Sequence, residues 1–307
     1  MPFENIIGND KIKQMLNKTV QTNNILHSYI FLGQEGIGKK LFAKEFAKMC
    51  LCTTKEENCT CKSCISFDTE NNPDFNIITP QENKKDKTSN ATSTIKIEQI
   101  REMINKIIEK PIISDRKVYI IDDADKMTIE AQNCLLKTLE EPPSYVIIIL
   151  IGTNEEKFLN TIKSRCTKIN FENIPDTELK KYLKINCGIN GITDNMLKIY
   201  NGSIKKALDL VGKEEKFQQV ENIINTIESE NIVRILNKGK IIYEEQSEII
   251  NVLEYINILL FEKGKENIKY LNCVQKVNNS INYIRKNFNV EMTIDNLLIE
   301  IWEEINK

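Results

Sequence analysis

The stretch His27–Leu51, HSYIFLGQEGIGKKLFAKEFAKMCL, decides the fold of this chain. It has the pattern of an apolar β-strand, a glycine-rich loop and an α-helix. The loop GQEGIGKK matches G-x-x-x-x-G-K-[ST] except at its last letter, where Lys40 replaces the hydroxyl residue that ligates Mg²⁺. Backbone N–H groups of such a loop surround a polyphosphate. The strand–loop–helix context therefore predicts a phosphate-binding loop with Gly33, Gly36, Gly38 and Lys39.

Residues 1–168 alternate between predicted strands and helices, which indicates a parallel α/β sheet. FNIITP, KVYIIDDADKM and YVIIILIGT are further strands, and IEAQNCLLKTLEEPP is a helix that two prolines terminate. ENKKDKTSNATST, residues 82–94, lacks periodicity and is predicted to be a surface loop. The segment KIEQIREMINKIIEK is predicted to be an amphipathic helix whose apolar face contains Ile97, Ile100, Ile104, Ile107 and Ile108.

The pattern becomes helical after a short strand that follows SRC, and boundaries are expected near 168–172 and 212–216. Three domains are predicted: an α/β domain at 1–168 with an inserted cysteine module at about 50–66, a small helical domain at 169–212, and a helical domain at 213–307. Apolar stripes in the last domain are expected to form its core and contacts with other subunits.

The amino-acid composition of the chain argues against several classes of protein. The net charge of −2 argues against binding nucleic acid through overall charge. The sequence contains no apolar run long enough to cross a bilayer, and MPFENIIGND lacks a secretory apolar segment. Nine cysteines, five of them between residues 50 and 64, form a poor disulfide framework and a good metal-site pattern. We therefore expect a protein of the reducing cytoplasm, without a membrane partner.

The segment CLCTTKEENCTCKSC, Cys50–Cys64, is expected to bind a structural zinc ion, because such sites take four thiolates in a tetrahedron. The ligands are predicted to be Cys52, Cys59, Cys61 and Cys64. Cys50 is the alternative first ligand, but it still lies on the preceding helical pattern. A catalytic zinc would need an open position or a His or Asp ligand nearby, and the sequence offers neither.

The segment YIIDDAD places acids at the end of a buried strand. Asp122 fits a metal-coordinating aspartate, and Asp123 stands where a water-activating glutamate with a longer reach is usual. The alternative interpretation is a strand-to-helix turn with solvated acids and a helix cap. We favour a site of catalytic origin with weakened chemistry.

The run IEAQNCLLKTLEEPP followed by SRC, Ser164–Cys166, closely resembles the clamp-loader branch of the AAA+ ATPases. Within that branch the chain looks like the delta-prime subunits of bacterial DNA polymerase III. The resemblance extends from FENIIGNDKIKQMLNK through NGSIKKAL, about the first 212 residues, and the helical tail agrees in length and type. It implies an AAA+ phosphate-loop domain with a parallel sheet, a small helical lid and a C-terminal helical collar.

The resemblance also implies roles for single residues. Arg165 of SRC matches an arginine finger that enters the neighbouring subunit's nucleotide site, and Thr153 matches a sensor residue. Lys205 replaces the arginine of a second sensor, keeping its charge but not its planar fork. The family's cysteine module typically ends C-x-x-C-x-x-C, whereas this chain has C-x-C-x-x-C.

Lys40, Asp123 and Lys205 all depart from the catalytic pattern. The resemblance with these departures implies a non-hydrolysing stator in a pentamer with tau/gamma and delta subunits, which loads the sliding clamp onto primer-template DNA. Passive binding of ATP or Mg²⁺ in its own loop stays open. The first alternative is an ATP-hydrolysing motor subunit of the tau/gamma kind. The second, an independent zinc-dependent DNA-binding protein, is weakened by the acidity and by the lack of a basic, aromatic-rich stripe.

Overall fold

A computed structural model describes residues 3–56, 59–81, 93–189, 192–244 and 248–306. Its internal contacts divide the chain into two compact units. The first unit contains Met1–Leu179 and Ser203–Lys205, and the second contains Lys180–Gly202 and Lys206–Lys307. Residues 82–92 of the predicted surface loop lie outside the described residues. The division into three domains stays a prediction.

The first unit alternates strands and helices. Its strands are β1 (Ser28–Leu32), β2 (Phe75–Ile78), β3 (Lys117–Ile121), β4 (Val146–Gly152) and β5 (Thr167–Asn170). Its helices are α1 (Asp10–Gln21), α2 (Lys39–Leu51), α3 (Lys62–Asp68), α4 (Ile97–Ile107), α5 (Ile129–Glu140) and α6 (Asn160–Lys163), and α7 (Asp176–Cys187) begins in this unit and ends in the second. Short 3-10 helices follow β3 at Ala124–Lys126 and β4 at Glu155–Lys157.

All five strands are parallel, in the order β2-β3-β4-β1-β5, which confirms the predicted α/β class. The residues of β1, β3 and β4 are buried along their whole length, as their near-continuous apolar runs predict for a sheet covered on both faces. The carboxyl ends of β1, β3 and β4 meet at one edge of the sheet, so the segments that follow these strands share that edge.

Alternate strand residues face two apolar layers. Tyr29 and Phe31 pack with α1 and α2, whereas Ile30 and Leu32 pack with α4, α5 and α6. The predicted face of α4 is partly wrong, because Ile108 lies just beyond the helix and is 72% exposed, while Met103 is buried in its place. Thr128 caps α5 by accepting a hydrogen bond from the backbone N–H of Ala131.

The second unit is helical. Besides the end of α7 it contains α8 (Asp194–Tyr200), most of α9 (Ile204–Asp209), α10 (Glu214–Thr226), α11 (Ile232–Tyr243), α12 (Ile249–Gly264), α13 (Ile268–Arg285) and α14 (Val290–Asn306). Helix α12 packs against α8, α10 and α13, and α14 packs against α11 and α13. Among the described residues, no helix is both long and apolar enough to cross a membrane.

Candidate functional site

The phosphate-type loop connects the carboxyl end of β1 to α2. Gly36 (φ 79°) and Gly38 (φ 92°) adopt left-handed backbone conformations that favour glycine. Lys39 is only 6% exposed, and its Nζ donates to the carbonyl oxygens of Gly33 and Gln34, at 2.6 Å each. Burial lowers the pKa of the Lys39 ammonium, against the opposing effect of nearby carboxylates. The lysine is thus held inside the loop.

Lys40 contacts the first acid that follows β3. Its Nζ lies 2.9 Å from Oδ2 of Asp122, so an ammonium group stands beside the carboxylate predicted to coordinate a metal. Asp123 has φ 49°, and its carboxylate pairs with Lys126 at 2.8 Å. The structure therefore gives both predicted acids a lysine partner from the same chain.

Asp125 is a site residue that the sequence analysis missed. It is 6% exposed, and its Oδ2 accepts a hydrogen bond from the hydroxyl of Thr153 at 3.0 Å. Thr153 directly follows β4, so the parallel pairing of β3 and β4 brings the predicted sensor to the acids. The sequence did contain this residue among the acids of YIIDDAD, where Asp125 is the third acid and is buried.

Residues 203–205 lie against the loop, within the first unit. The backbone N–H of Ile204 donates to the carbonyl oxygen of Gly36 at 3.0 Å. Nζ of Lys205, the predicted second sensor, lies 2.6 Å from Oε1 of Glu35. Glu35 was not singled out from the sequence, because a loop position between two glycines carries no pattern of its own.

Arg165 lies at the other end of the sheet. It precedes β5, and its backbone carbonyl accepts a hydrogen bond from the hydroxyl of Ser28, the first residue of β1, at 2.7 Å. The loop follows the opposite end of β1. Because β1 and β5 are parallel and pair Tyr29 with Thr167, the length of the strand separates Arg165 from the chain's own loop.

The guanidinium of Arg165 has three described partners. Its Nη2 donates to Oε1 of Glu140 at 2.6 Å, and its Nη1 donates to the carbonyl oxygen of Thr161 at 2.9 Å and to Oγ of Ser164 at 3.3 Å. The side chain is 32% exposed and lines an open depression together with His27. The backbone carbonyl of His27 accepts a hydrogen bond from the N–H of Ile148 at 2.8 Å, next to the pairing of β1 with β4.

The structure brings four cysteines together at the junction of α2 and α3. The Sγ atoms of Cys52, Cys59, Cys61 and Cys64 lie within 4.8 Å of one another. Sulfur ligands at about 2.3 Å from zinc stand roughly 3.8 Å apart in a tetrahedron, so the four thiols could hold a metal ion of this kind. Cys50 lies on α2 outside this cluster, and burial raises the pKa of its thiol to about 12.

Backbone N–H groups donate hydrogen bonds to two sulfur atoms of the cluster. The N–H of Lys55 donates to Cys52 at 3.3 Å, and the N–H of Cys61 donates to Cys59 at 3.2 Å. Burial alone would raise the pKa of Cys61, but hydrogen bonds, first among them those with Thr53, lower it to about 5. Against the effect of burial, hydrogen bonds also lower the pKa of Cys52, whereas burial and the neighbouring thiols raise that of Cys64. The thiolate, the form of cysteine that ligates metals, is therefore favoured at Cys52 and Cys61.

Comparison with known proteins agrees with this fold. Residues 8–175 match the family model described as DNA polymerase III, delta subunit. The chain is 30% identical to the DNA polymerase III subunit gamma of Buchnera aphidicola subsp. Schizaphis graminum, over 94% of this chain and 82% of that protein. It is 31% identical to the DNA polymerase III subunit delta' of Bacillus subtilis, over 53% of this chain and 47% of that protein.

Other matches include a longer relative and a solved structure. The chain is 32% identical to the tau/gamma subunit of Haemophilus influenzae over 59% of its own length, but spans only 25% of that protein. Among solved structures, a DNA polymerase III gamma subunit-related protein of Thermotoga maritima aligns over 94% of this chain and 99% of that one, with 18% identity and a TM-score of 0.48.

Proposed function

Because the chain belongs to the DNA polymerase III clamp-loader subunits of the AAA+ family, we propose that it is a delta-prime-type subunit that does not turn over ATP itself. Its partners would be tau/gamma and delta subunits in a pentamer that loads the sliding clamp onto primer-template DNA in replication. Its contribution to ATP hydrolysis would be Arg165, donated to the neighbouring subunit. The reducing cytoplasm suits its cysteines, none of which forms a disulfide among the described residues.

The position of Arg165 is the observation that carries this proposal. Five strand residues, Ser28–Leu32, separate the Arg165 end of the sheet from the loop, and an extended strand of this length spans about 16 Å. A hydrogen bond to a phosphate oxygen requires about 2.7–2.9 Å. An arginine at this end of the sheet can therefore act on a nucleotide only if another chain holds that nucleotide.

The contacts of the loop support the absence of hydrolysis. Phosphoryl transfer in phosphate-loop proteins depends on Mg²⁺ held by the loop hydroxyl and a strand-end aspartate. Here Lys40 replaces the hydroxyl and lies 2.9 Å from the aspartate, Asp122. A lysine ammonium has no lone pair for a metal, and its charge repels a cation. Asp123 is the shorter acid at the position of the water-activating residue, and it is paired with Lys126.

We also propose that the four-cysteine cluster binds a structural zinc ion. Cys52 occupies the C-cap position of α2, Cys61 occupies the N-cap position of α3, and Cys64 lies in the first turn of α3. A metal held by these thiols with Cys59 would fix the connection between the two helices. All four ligands are thiolates, which is typical of closed structural sites rather than catalytic ones.

The alternative is an ATP-hydrolysing motor subunit of the tau/gamma kind. The observation that favours it is the match to a gamma subunit along 94% of this chain. The motor would need Lys39 to release the loop carbonyls and bind phosphate, and it would need Mg²⁺ beside Asp122. The two functions therefore differ in which basic residue matters, Lys39 or Arg165.

The test compares these two residues in a complex reconstituted with the protein's own tau/gamma and delta partners. Arg165→Ala is expected to abolish the share of DNA-stimulated ATP hydrolysis from one site, because a trans arginine is worth on the order of 10³–10⁵ in kcat at its site. Lys39→Ala is expected to leave hydrolysis within about twofold, the small change of a non-catalytic position.

Arg101→Ala, which removes an exposed arginine on α4, serves as the matched control. Circular dichroism would establish that each variant is folded before assembly. A dominant effect of Lys39→Ala, or brisk ATP hydrolysis by the purified chain alone, would instead identify a motor subunit.

A further inference from the structure

We infer that Glu140 is a positioning residue that holds Arg165 in the orientation required for its action on a neighbouring subunit's nucleotide. This inference rests on the function proposed for Arg165. Glu140 is the last residue of α5, and its Oε1 accepts a hydrogen bond from Nη2 of Arg165 at 2.6 Å. No other carboxylate is a partner of Arg165 among the described contacts of this part of the chain.

The location of Glu140 is unfavourable for the helix itself. A helix C-terminus carries partial negative charge, so a carboxylate in the last turn destabilises it. Helix α5 ends on Glu140, with Glu141 as its C-cap. Helix stability therefore does not account for an acid at this position, whereas the contact with Arg165 does.

The geometry leaves part of the guanidinium available. Arginine has five N–H donors in a fixed planar fork. The described contacts use three of them, two on Nη1 for Thr161 and Ser164 and one on Nη2 for Glu140. The remaining donors, on Nη2 and Nε, can meet phosphate oxygens while the other three stay engaged.

The exposure of this ion pair indicates that Glu140 can orient Arg165 without hiding it from a partner chain. The side chains of Arg165 and Glu140 are 32% and 49% exposed, so the pair lies at the surface, where a partner chain can approach it. An exposed ion pair contributes little to folding stability. Its effect is instead to restrict the rotamers of a long side chain before the neighbour arrives, and such preorganisation strengthens charge stabilisation in the transition state.

The experiment is a double-mutant cycle in the reconstituted complex, read as kcat and KM of total ATP hydrolysis. Subtracting the rate that remains in Arg165→Ala gives the share that depends on Arg165. Glu140→Ala is expected to lower that kcat by about tenfold or more, within the range that small misplacement of a catalytic group produces. KM is expected to stay within about twofold, because orientation acts on the transition state. Glu140→Gln retains an acceptor oxygen and should recover most of the activity.

The decisive arm combines Glu140→Ala with Arg165→Ala. If Glu140 acts through Arg165, the double variant is no slower than Arg165→Ala alone. A double variant whose total rate is lower than that of Arg165→Ala alone, or an equal loss in the control Glu141→Ala, would overturn the positioning role while leaving the function of Arg165 intact. No effect of Arg165→Ala would instead refute the proposed function itself, so the two failures are distinguishable.

Discussion

The contact between the loop and residues 203–205 gives the sharpest quantitative prediction. A Cβ atom at Gly36 would lie 2.2 Å from Oγ of Ser203 and 2.6 Å from Cβ of Lys205. A Cβ at Gly38 would meet nothing within 4 Å, although the two glycines have similar φ values of 79° and 92°. Gly36→Ala and Gly38→Ala therefore share the backbone strain, and only the first adds a clash.

The common cost is about 1–2 kcal/mol, the penalty of a left-handed conformation for an L-residue. Overpacking adds roughly 1–3 kcal/mol for Gly36→Ala alone. The clash is relieved most easily by moving residues 203–205 away, which breaks the hydrogen bond from Ile204 N–H to the Gly36 carbonyl. Lys205, which pairs with Glu35, would move together with Ser203 and Ile204.

Amide hydrogen exchange measures both effects on the full chain. Protection of the Ile204 amide is expected to fall about 5- to 150-fold further in Gly36→Ala than in Gly38→Ala. This factor is the overpacking cost of roughly 1–3 kcal/mol expressed as a change in the equilibrium constant for local opening. The amide of Phe171, which donates to the carbonyl of Leu32, reports the shared strain and should change similarly in both variants. Equal protection of Ile204 in the two variants would refute the assigned contact.

Two further predictions concern the metal and the loop. Cys59→Ser and Cys61→Ser are expected to abolish stoichiometric binding of zinc, measured by elemental analysis. Cys50→Ser is expected to retain zinc, because Cys50 lies outside the cluster. Loss of zinc in Cys50→Ser alone would contradict the ligand set. Lys40→Thr removes the ammonium beside Asp122 and supplies a hydroxyl ligand, so Mg²⁺ should strengthen ATP binding in titration calorimetry only in that variant. Equal Mg²⁺ dependence in the wild type would show that Lys40 does not exclude the metal.

Much of the first unit follows from local sequence. Uninterrupted apolar runs identify β1, β3 and β4 as strands buried on both faces. Once these strands are parallel, the residues after each carboxyl end must share an edge, which brings the loop, Asp122 and Thr153 together. The exposed Ile108 was misassigned because a periodic pattern does not mark where α4 ends.

The pairings within the sites could not be predicted, because they join residues that are distant in sequence. Glu140 and Arg165 are 25 positions apart, and Glu35 and Lys205 are 170 apart. Asp74 provides another example, since its buried carboxylate accepts hydrogen bonds from three successive backbone N–H groups at Ile112, Ile113 and Ser114. Nothing in the residues around Asp74 indicates that its carboxylate accepts hydrogen bonds from a loop 38 to 40 positions away.

The ion pairs at the loop act more strongly against a metal than against a phosphate. Lys40–Asp122 and Lys205–Glu35 are at least partly exposed, and such pairs exchange partners at little cost, so either lysine can turn to a phosphate. A divalent cation is opposed even after such an exchange, because Lys40 stands in place of the hydroxyl ligand and its ammonium repels the cation. The proposed function therefore allows passive binding of a nucleotide by this loop and excludes metal-dependent transfer of its phosphate. At the opposite end of β1 the same chain carries the guanidinium of Arg165. Under the proposed function, this asymmetry is what distinguishes a subunit that completes a neighbour's nucleotide site from one that hydrolyses ATP in its own.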